Sequence, residues 1–213
     1  MITDEKEELI NFTRQLTFEI YDTYNTLKLH MHLHNSLVDN PEIGQLAQSY
    51  FVLTQHSLAN DYIIRIARMF DKKPKGTQFG TLFKLLNLIE QNANLFTNKK
   101  SILKEVSRHR NIFDEDNAAL LNNIKTWRDK SYAHWDKKYF YDEDRLKLEV
   151  DAPIKYNQLY NLLRTSGQIA NFYLKELGES PVPLEIAQIK DDINELFKAI
   201  KTGMTLDTDL VKV

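Results

Sequence analysis

A run of ten residues, from Trp127 to Asp136, holds side chains that together could cleave a phosphodiester. It reads Trp-Arg-Asp-Lys-Ser-Tyr-Ala-His-Trp-Asp, with Arg128 and His134 six residues apart. An arginine guanidinium is planar, stays charged and fits two phosphate oxygens at once. A histidine imidazole accepts or releases a proton near neutral pH. The run therefore predicts chemistry on a phosphodiester.

The spacing of this pair constrains how it could act. Six residues of a regular helix turn through about 600°, so the two side chains point about 120° apart. Either the helix ends before Ala133 and His134 swings round, or each residue meets its counterpart across a dimer interface. Two residues of the run lie four positions from a member of the pair. They are secondary candidates, Lys130 for phosphate contact and Tyr132 for hydrogen bonding or base stacking.

Two carboxylates flank the histidine, and the sequence leaves their role open. Asp129 or Asp136 would orient His134 and favour its charged form. Alternatively, the two aspartates pair on the surface with the neighbouring lysines, Lys130 and Lys137.

Composition narrows the class of protein. The chain has 213 residues, enough for one well-buried domain with a terminal extension, and it has no cysteine. A disulfide framework, thiolate-bound zinc, an iron–sulfur cluster and a thiol nucleophile are thereby excluded. No apolar run approaches the roughly 20 residues that span a bilayer, and the acidic N-terminal segment is unlike a secretory signal. We therefore expect a cytoplasmic protein with no membrane partner.

Charge is distributed unevenly along the chain. The net charge is −2, yet the segment from Asn98 to Lys138 carries ten basic and six acidic residues, or about +4. This local surplus indicates either a surface that attracts a polyanion or a solvated helix face, which is the more common case.

Helical periodicity dominates, and glycines and prolines mostly separate the periodic segments. The pattern predicts helices over about 4–37, 41–70, 82–96, 99–110, 114–127 and 156–174, then an amphipathic helix with a stripe from Ile186 to Ile200. Residues 139–150 predict either a small β-hairpin or an irregular excursion after the motif helix. The predicted fold class is all-α: an antiparallel helical bundle over residues 1–180, with a C-terminal amphipathic helix and tail over 181–213.

Local signals refine these boundaries. Asn40 followed by Pro41 predicts an N-cap and a first-turn proline. The acidic residues 114–116 predict the first turn of a new helix. The helix predicted over 41–70 is apolar on two faces, which places it at the centre of a bundle or against a second subunit. We expect a symmetric dimer interface there, close to the motif.

The segment from Arg128 to His134 resembles the signature of the HEPN superfamily, an Arg, a polar residue, a short spacer and a His near a helix end. The longer form Arg-Asp-Lys-x-x-Ala-His-x-Asp resembles the AbiU-type abortive-infection branch. The segment Arg65–Asp71, which reads Arg-Ile-Ala-Arg-Met-Phe-Asp, is similar to the Ala-Arg-x-Phe-Asp ending of the second long helix in those proteins. The resemblance covers residues 40 to 175.

The resemblance implies a metal-independent RNA endonuclease of bacterial phage-defence or toxin–antitoxin type, without a cofactor. It also implies that Arg128 and His134 are the catalytic pair. Two protomers would bring their Arg128 and His134 together at a shared cleft, so the implied partners are RNA and a second copy of the chain. It also implies an antitoxin or nucleotidyltransferase-type partner. Arg65, Arg68 and Asp71 would come near the motif if the helices pack as in the family; the alternative is an ion-pair network at a helix end.

Two other interpretations compete with this one. His30 and His34 lie four residues apart on one helical face, an arrangement that can share a metal. No Glu lies between them as in a metalloprotease helix, and no third ligand can be assigned, so a polar helix face is favoured. The main rival is a non-catalytic HEPN-like helical interaction or nucleotide-binding module, because fold alone does not fix function.

Overall fold

A computed structural model describes residues 4–72, 80–132, 142–184 and 188–210. These residues contain nine α-helices and no strand, which confirms the all-α class. The helices are α1 (Asp4–Asp39), α2 (Pro41–Leu46), α3 (Gln48–Met69), α4 (Leu82–Gln91), α5 (Lys99–Asn111), α6 (Ala118–Trp127), α7 (Asp142–Asp151), α8 (Tyr156–Glu176) and α9 (Ile189–Leu210).

Helix α1 is the long central element of the bundle. It packs against α8, α3 and α9, and its residues Leu16, Ile20, Tyr24 and Leu27 are buried at spacings of three and four. That spacing places one apolar stripe along the helix, as the sequence predicted. The main core, which draws on α1, α3–α6 and α8, gathers around this stripe.

The helix predicted over 41–70 is interrupted. Ala47, with φ −138° and ψ 50°, separates α2 from α3. Pro41 does stand at the start of α2, but the Asn40 side chain makes no capping bond; its amide donates instead to the carbonyl of Ser36 (2.6 Å). The predicted N-cap is therefore wrong in its hydrogen bond and right in its position.

Helices α5 and α6 are joined by a π-helical turn at Ile112–Asp116. The backbone N–H and the side-chain amide of Asn117 both donate to the carbonyl of Ile112, at 3.1 and 2.8 Å. The acidic residues 114–116 were expected to open a new helix, and that prediction is wrong. Asp114 instead forms an ion pair with Lys72, just after α3.

The β-hairpin alternative is wrong for its second strand. Residues 142–151 form α7, in which Leu148 is buried while Val150 is 80% exposed. The alternation of apolar residues there does not correspond to a buried face. The first proposed strand, at 139–141, lies outside the described residues.

A smaller cluster lies beside the main core. Ile193 and Phe197 of α9 pack with Leu33, Ile43 and Phe51 from α1, α2 and α3. The connection to α9 follows α8, where the Asn171 amide and the backbone of Val182 exchange two hydrogen bonds of 2.8 Å. None of the helices described combines the length and hydropathy needed to cross a bilayer.

Candidate functional site

Arg128 stands where the helix changes its hydrogen-bonding pattern. Trp127 is the last residue of α6, and a π-helical turn runs from Arg128 to Tyr132. A π turn bonds residue i to i+5 and so holds more residues than an α turn. The angle of about 120° between Arg128 and His134 assumed a regular α-helix, and that assumption is wrong over Arg128–Tyr132. Such turns inside helices recur at functional sites.

The guanidinium of Arg128 is held by two carboxylates. Its Nε and Nη2 both lie 2.6 Å from Oδ1 of Asp129, and its Nη1 lies 3.8 Å from Oδ2 of Asp71. The Arg128 side chain is 21% exposed, so it remains reachable from solvent. A phosphate that binds this guanidinium must therefore compete with Asp129. Neither of the roles predicted for Asp129 included this contact.

Several predicted site residues lie outside the described part of the chain. They are His134 and Asp136, together with the side chain of Tyr132. The pairing of Arg128 with His134 therefore stays a prediction. Lys130 is half-buried within the π turn, and its place beside the motif arginine is fixed by the backbone of that turn.

The three residues predicted near the motif at the end of α3 have different surroundings. Arg65 turns toward α1: its Nε donates to Asp61 (2.9 Å), and its Nη1 lies 3.7 Å from Glu19. Burial opposes the charged form, but the bond to Asp61 and the surrounding carboxylates outweigh it and raise the pKa of Arg65. Asp71 instead faces Arg128. Arg68 is exposed in the last turn of α3, and its carbonyl accepts from the backbone of Asp71.

The arginines of the basic segment 98–138 are largely ion-paired. Arg108 lies 2.7 Å from Glu105, and Arg110 lies 2.6 Å from Glu90. Glu105 lies inside the segment and is already counted in its charge of about +4, so of these two pairs only that with Glu90 offsets part of the surplus.

A pocket of about 360 Å³ opens beside Trp127. Residues from α3, α6, α7, α8 and the α7–α8 connection line it: Tyr62, Ile63, Trp127, Glu149, Pro153, Ile154, Tyr156 and Leu159. The indole N–H of Trp127 donates to the carbonyl of Ala152 (2.7 Å), and the Asn123 amide donates to the carbonyl of Pro153 (2.9 Å). These two bonds fix the α7–α8 connection to α6.

Two tyrosines of this pocket converge on a buried histidine. The hydroxyls of Tyr156 and Tyr62 lie 3.0 and 3.2 Å from Nδ1 of His30. Burial, reinforced by the nearby imidazoles of His34 and His56, lowers the pKa of His30 to about 4. His30 is therefore neutral near pH 7.

The structure gives His30 and His34 different surroundings. His34 is exposed and bonds to Gln55 (3.2 Å), whereas His30 faces the two tyrosines. Among the residues described, no group of three or more His, Cys, Asp or Glu side chains could hold a metal ion. The shared-metal interpretation therefore gains no third ligand from this part of the chain.

Comparison with known families matches the chain to HEPN_AbiU2, described as AbiU2, over residues 6–196. The chain belongs to the HEPN AbiU2 family. It is accordingly an abortive-infection HEPN-type protein. No curated protein and no solved structure matches it significantly. The match extends beyond the resemblance recognised at residues 40–175 and includes α1 and the start of α9.

The sequence pointed to only part of this candidate site. It identified Arg128 and Asp71, which the structure brings together, but it missed the pocket residues Tyr62, Glu149 and Tyr156. The one sequence feature that pointed toward the pocket was Trp127, an aromatic residue directly before the motif arginine. The tyrosines gave no local signal, since they lie on α3 and α8 and meet only in the folded bundle.

Proposed function

We propose that this HEPN AbiU2 protein is a metal-independent RNA endonuclease of bacterial phage-defence or toxin–antitoxin type. The observation that carries the proposal is the position of Arg128. It opens a π-helical turn, stays partly exposed and has the Asp129 and Asp71 carboxylates around its guanidinium. Those contacts keep the guanidinium oriented before RNA arrives, which lowers the cost of positioning it on a phosphate.

The chemistry needs a base, an acid and a fixed cation. His134, in one protomer or its symmetry mate, takes the proton of the ribose 2′-hydroxyl. The 2′-oxygen then bonds to phosphorus, the bond from phosphorus to the 5′-oxygen breaks, and the leaving 5′-oxygen receives a proton from imidazolium. Arg128 stabilises the charge on the non-bridging oxygens. The products are a 2′,3′-cyclic phosphate and a 5′-hydroxyl.

A homodimer is part of the proposal, because the shared cleft uses Arg128 and His134 from two chains and each chain supplies only one of each. An exposed apolar stripe on α2 and α3 offers one dimer surface: Leu46, Tyr50 and Leu53 are each about 65% exposed. Leu53 lies about 24 Å along α3 from Met69, at the motif end. A two-fold axis at the motif therefore leaves this stripe far from the shared site. We place the composite-site axis at the end of α3, and this departs from the prediction that the apolar face adjoins the motif.

The test is cleavage of RNA by the purified protein in EDTA, with analysis of the product ends. We expect cyclic-phosphate ends and their loss in Arg128→Ala and His134→Ala. Arg164→Ala is the matched control, since Arg164 is an exposed arginine on α8. Intact RNA with a correctly folded dimer would contradict the proposal. Retained cleavage in Arg128→Ala would contradict the role of the arginine.

One observation favours the alternative of a non-catalytic interaction or nucleotide-binding module. The two carboxylates that hold Arg128 also compensate its positive charge, as in a structural ion pair. On that alternative, Arg128→Ala lowers the free energy of unfolding but no wild-type cleavage is seen. An antitoxin or nucleotidyltransferase-type partner, which the HEPN resemblance implies, fits either function.

A further inference from the structure

We propose that the pocket beside Trp127 binds one unpaired RNA base that carries an exocyclic amino group, and so seats the adjacent phosphate at Arg128. This inference rests on the proposed function, because it names the part of the RNA that the site recognises. The residues that carry it are Trp127, Tyr62, Tyr156 and Glu149, all of which line the pocket.

The pocket has the size and the surface for a base. Its volume of about 360 Å³ lies at the lower end of the range for small-ligand sites. Trp127, Tyr62 and Tyr156 supply aromatic surface, and Ile63, Leu159 and their neighbours supply aliphatic surface. Unpaired RNA bases are commonly held by stacking on aromatic side chains, each stack contributing about 1–3 kcal/mol.

The pocket is also built before any ligand arrives. The indole N–H of Trp127 is already bonded to Ala152, so the ring is held in place and its donor is used. The hydroxyls of Tyr62 and Tyr156 are both within hydrogen-bonding distance of His30. The neutral His30 keeps this inner wall uncharged, which suits a neutral base. A preformed site loses less conformational entropy when it binds.

Its place in the chain links the pocket to the reaction. Trp127 and Arg128 are consecutive, the first lining the pocket and the second proposed to bind phosphate. A nucleotide likewise presents a base and a phosphate joined by one sugar. Consecutive helical side chains point about 100° apart, and the ribose that joins base to phosphate would span that angle. A base held against Trp127 would then keep its own backbone near Arg128 and position the phosphate there.

Glu149 supplies the selectivity, because a carboxylate only accepts hydrogen bonds. Guanine offers it two adjacent donors, N1–H and the 2-amino group. Cytosine and adenine each offer an amino group. Uracil has one N–H donor, flanked by two carbonyl oxygens that repel a carboxylate. We therefore expect guanine to bind best, cytosine and adenine next, and uracil least.

The same residues could instead form a cage for a quaternary ammonium group, since three aromatic rings and a carboxylate attract such cations. The position of Arg128, next to Trp127 in the chain, favours the base, because a phosphate-binding arginine beside the pocket does not serve a cationic ligand. Preferential binding of a quaternary ammonium ligand would therefore overturn the proposal.

Binding is measured by fluorescence of Trp127. The chain has two tryptophans, so Trp135→Phe leaves Trp127 as the reporter, and the mononucleotide ligands have no phosphodiester to be cleaved. We expect saturable quenching by guanosine monophosphate with a dissociation constant on the order of 1 mM. Uridine monophosphate should bind roughly tenfold more weakly.

Two variants separate specific recognition from loose stacking. Glu149 is exposed, so Glu149→Gln should leave the fold intact while reducing the preference for guanosine over uridine to about threefold or less. Glu176→Gln, an exposed glutamate at the end of α8, should leave the preference unchanged. Unsaturable quenching, an unchanged preference in Glu149→Gln, or tighter binding of tetramethylammonium than of any nucleotide would overturn the proposal.

Cleavage assays distinguish a failure of the base-pocket proposal from a failure of the endonuclease proposal. Nucleotide binding that depends on Glu149, in a protein that cleaves no RNA, would support the pocket and contradict the endonuclease. Cleavage that depends on Arg128 but shows no base preference, and no change in Glu149→Gln, would support the endonuclease and overturn the pocket.

Discussion

At the residue scale, two neighbouring carboxylates determine how the charged guanidinium of Arg128 is oriented. Asp129 receives two of its N–H groups on one oxygen, and Asp71 lies within ion-pair distance. The two carboxylates orient the guanidinium for a phosphate. They also offset its positive charge, which lowers its affinity for that phosphate. Removing one of them should separate the two effects.

Asp129→Asn should tighten RNA binding. The substitution keeps an acceptor for Arg128 but removes the negative charge that competes with phosphate, and a partly exposed ion pair of this kind is worth at most about 1 kcal/mol. We expect affinity to rise up to about fivefold, measured by fluorescence anisotropy in a His134→Ala background at fixed salt. Asp116→Asn, an exposed aspartate in the neighbouring π turn, is the control. Unchanged or weaker binding would show that Asp129 does not compete with RNA.

Two buried histidines should make stability fall as the solution becomes acidic. Burial is the main cause that lowers the pKa of His30 and of His109 to about 4; the Arg108 charge adds to it for His109, and Glu105 opposes it. The Arg108 guanidinium donates to Nε2 of His109 (2.9 Å), so Nδ1 carries the proton and faces Tyr173. A histidine in the unfolded chain titrates near 6.5. Between about pH 6.5 and pH 4 the unfolded chain therefore binds a proton at each position that the folded protein does not bind.

The free energy of unfolding should therefore be constant above about pH 6.5 and decrease toward pH 4, by about 2 kcal/mol at pH 5 for each histidine. Urea unfolding at pH 7 and pH 5 measures the loss. Assigned imidazole resonances provide the direct check, since His30 and His109 should keep neutral-ring shifts at pH 5.5. Titration of either residue near 6.5 in the folded protein would contradict this prediction.

At the element scale, the sequence predicted the helices that a single apolar stripe defines. The buried stripe of α1 and most of the span of α8 follow directly from residues at spacings of three and four. Two π turns and the break at Ala47 were not predicted, because they depend on hydrogen-bond register and packing rather than on hydrophobic pattern. Leu148 illustrates the limit: the alternation of Leu146, Leu148 and Val150 predicts a strand, but in α7 Leu148 is buried and Val150 is exposed.

Helix α9 should stabilise the bundle through one side chain. Phe197 is buried with Phe51 and Ile43, whereas the adjacent Leu196 is 52% exposed. Phe197→Ala should lower the free energy of unfolding by about 3 kcal/mol, and Leu196→Ala should change it by less than about 0.5 kcal/mol. Urea unfolding followed by circular dichroism measures both. If residues 181–213 instead form an independent appendage, the main transition will be the same in Phe197→Ala as in the wild type.

At the scale of the whole molecule, the candidate site is assembled from parts that are remote in sequence. Tyr62, Trp127 and Tyr156 come from three helices, and His30 on α1 joins two of them. Short motifs could identify Arg128, because its neighbours in the chain carry the signal. They could not identify the pocket, because its residues are neighbours only after the helices pack. The shared-site hypothesis adds a further level, since it needs two chains.

The shared site predicts complementation between two inactive variants. In a mixture of Arg128→Ala and His134→Ala protomers, about half of the dimers are heterodimers if exchange is random. Each heterodimer brings one intact Arg128 and one intact His134 to a cleft on the two-fold axis. We expect cleavage well above that of either variant alone, measured on the same RNA in EDTA after exchange has been verified by native mass spectrometry of differently tagged chains. A site complete within each chain would gain nothing from mixing, because no protomer in the mixture carries both residues. A protein that light scattering finds monomeric at micromolar concentration would exclude the shared cleft altogether.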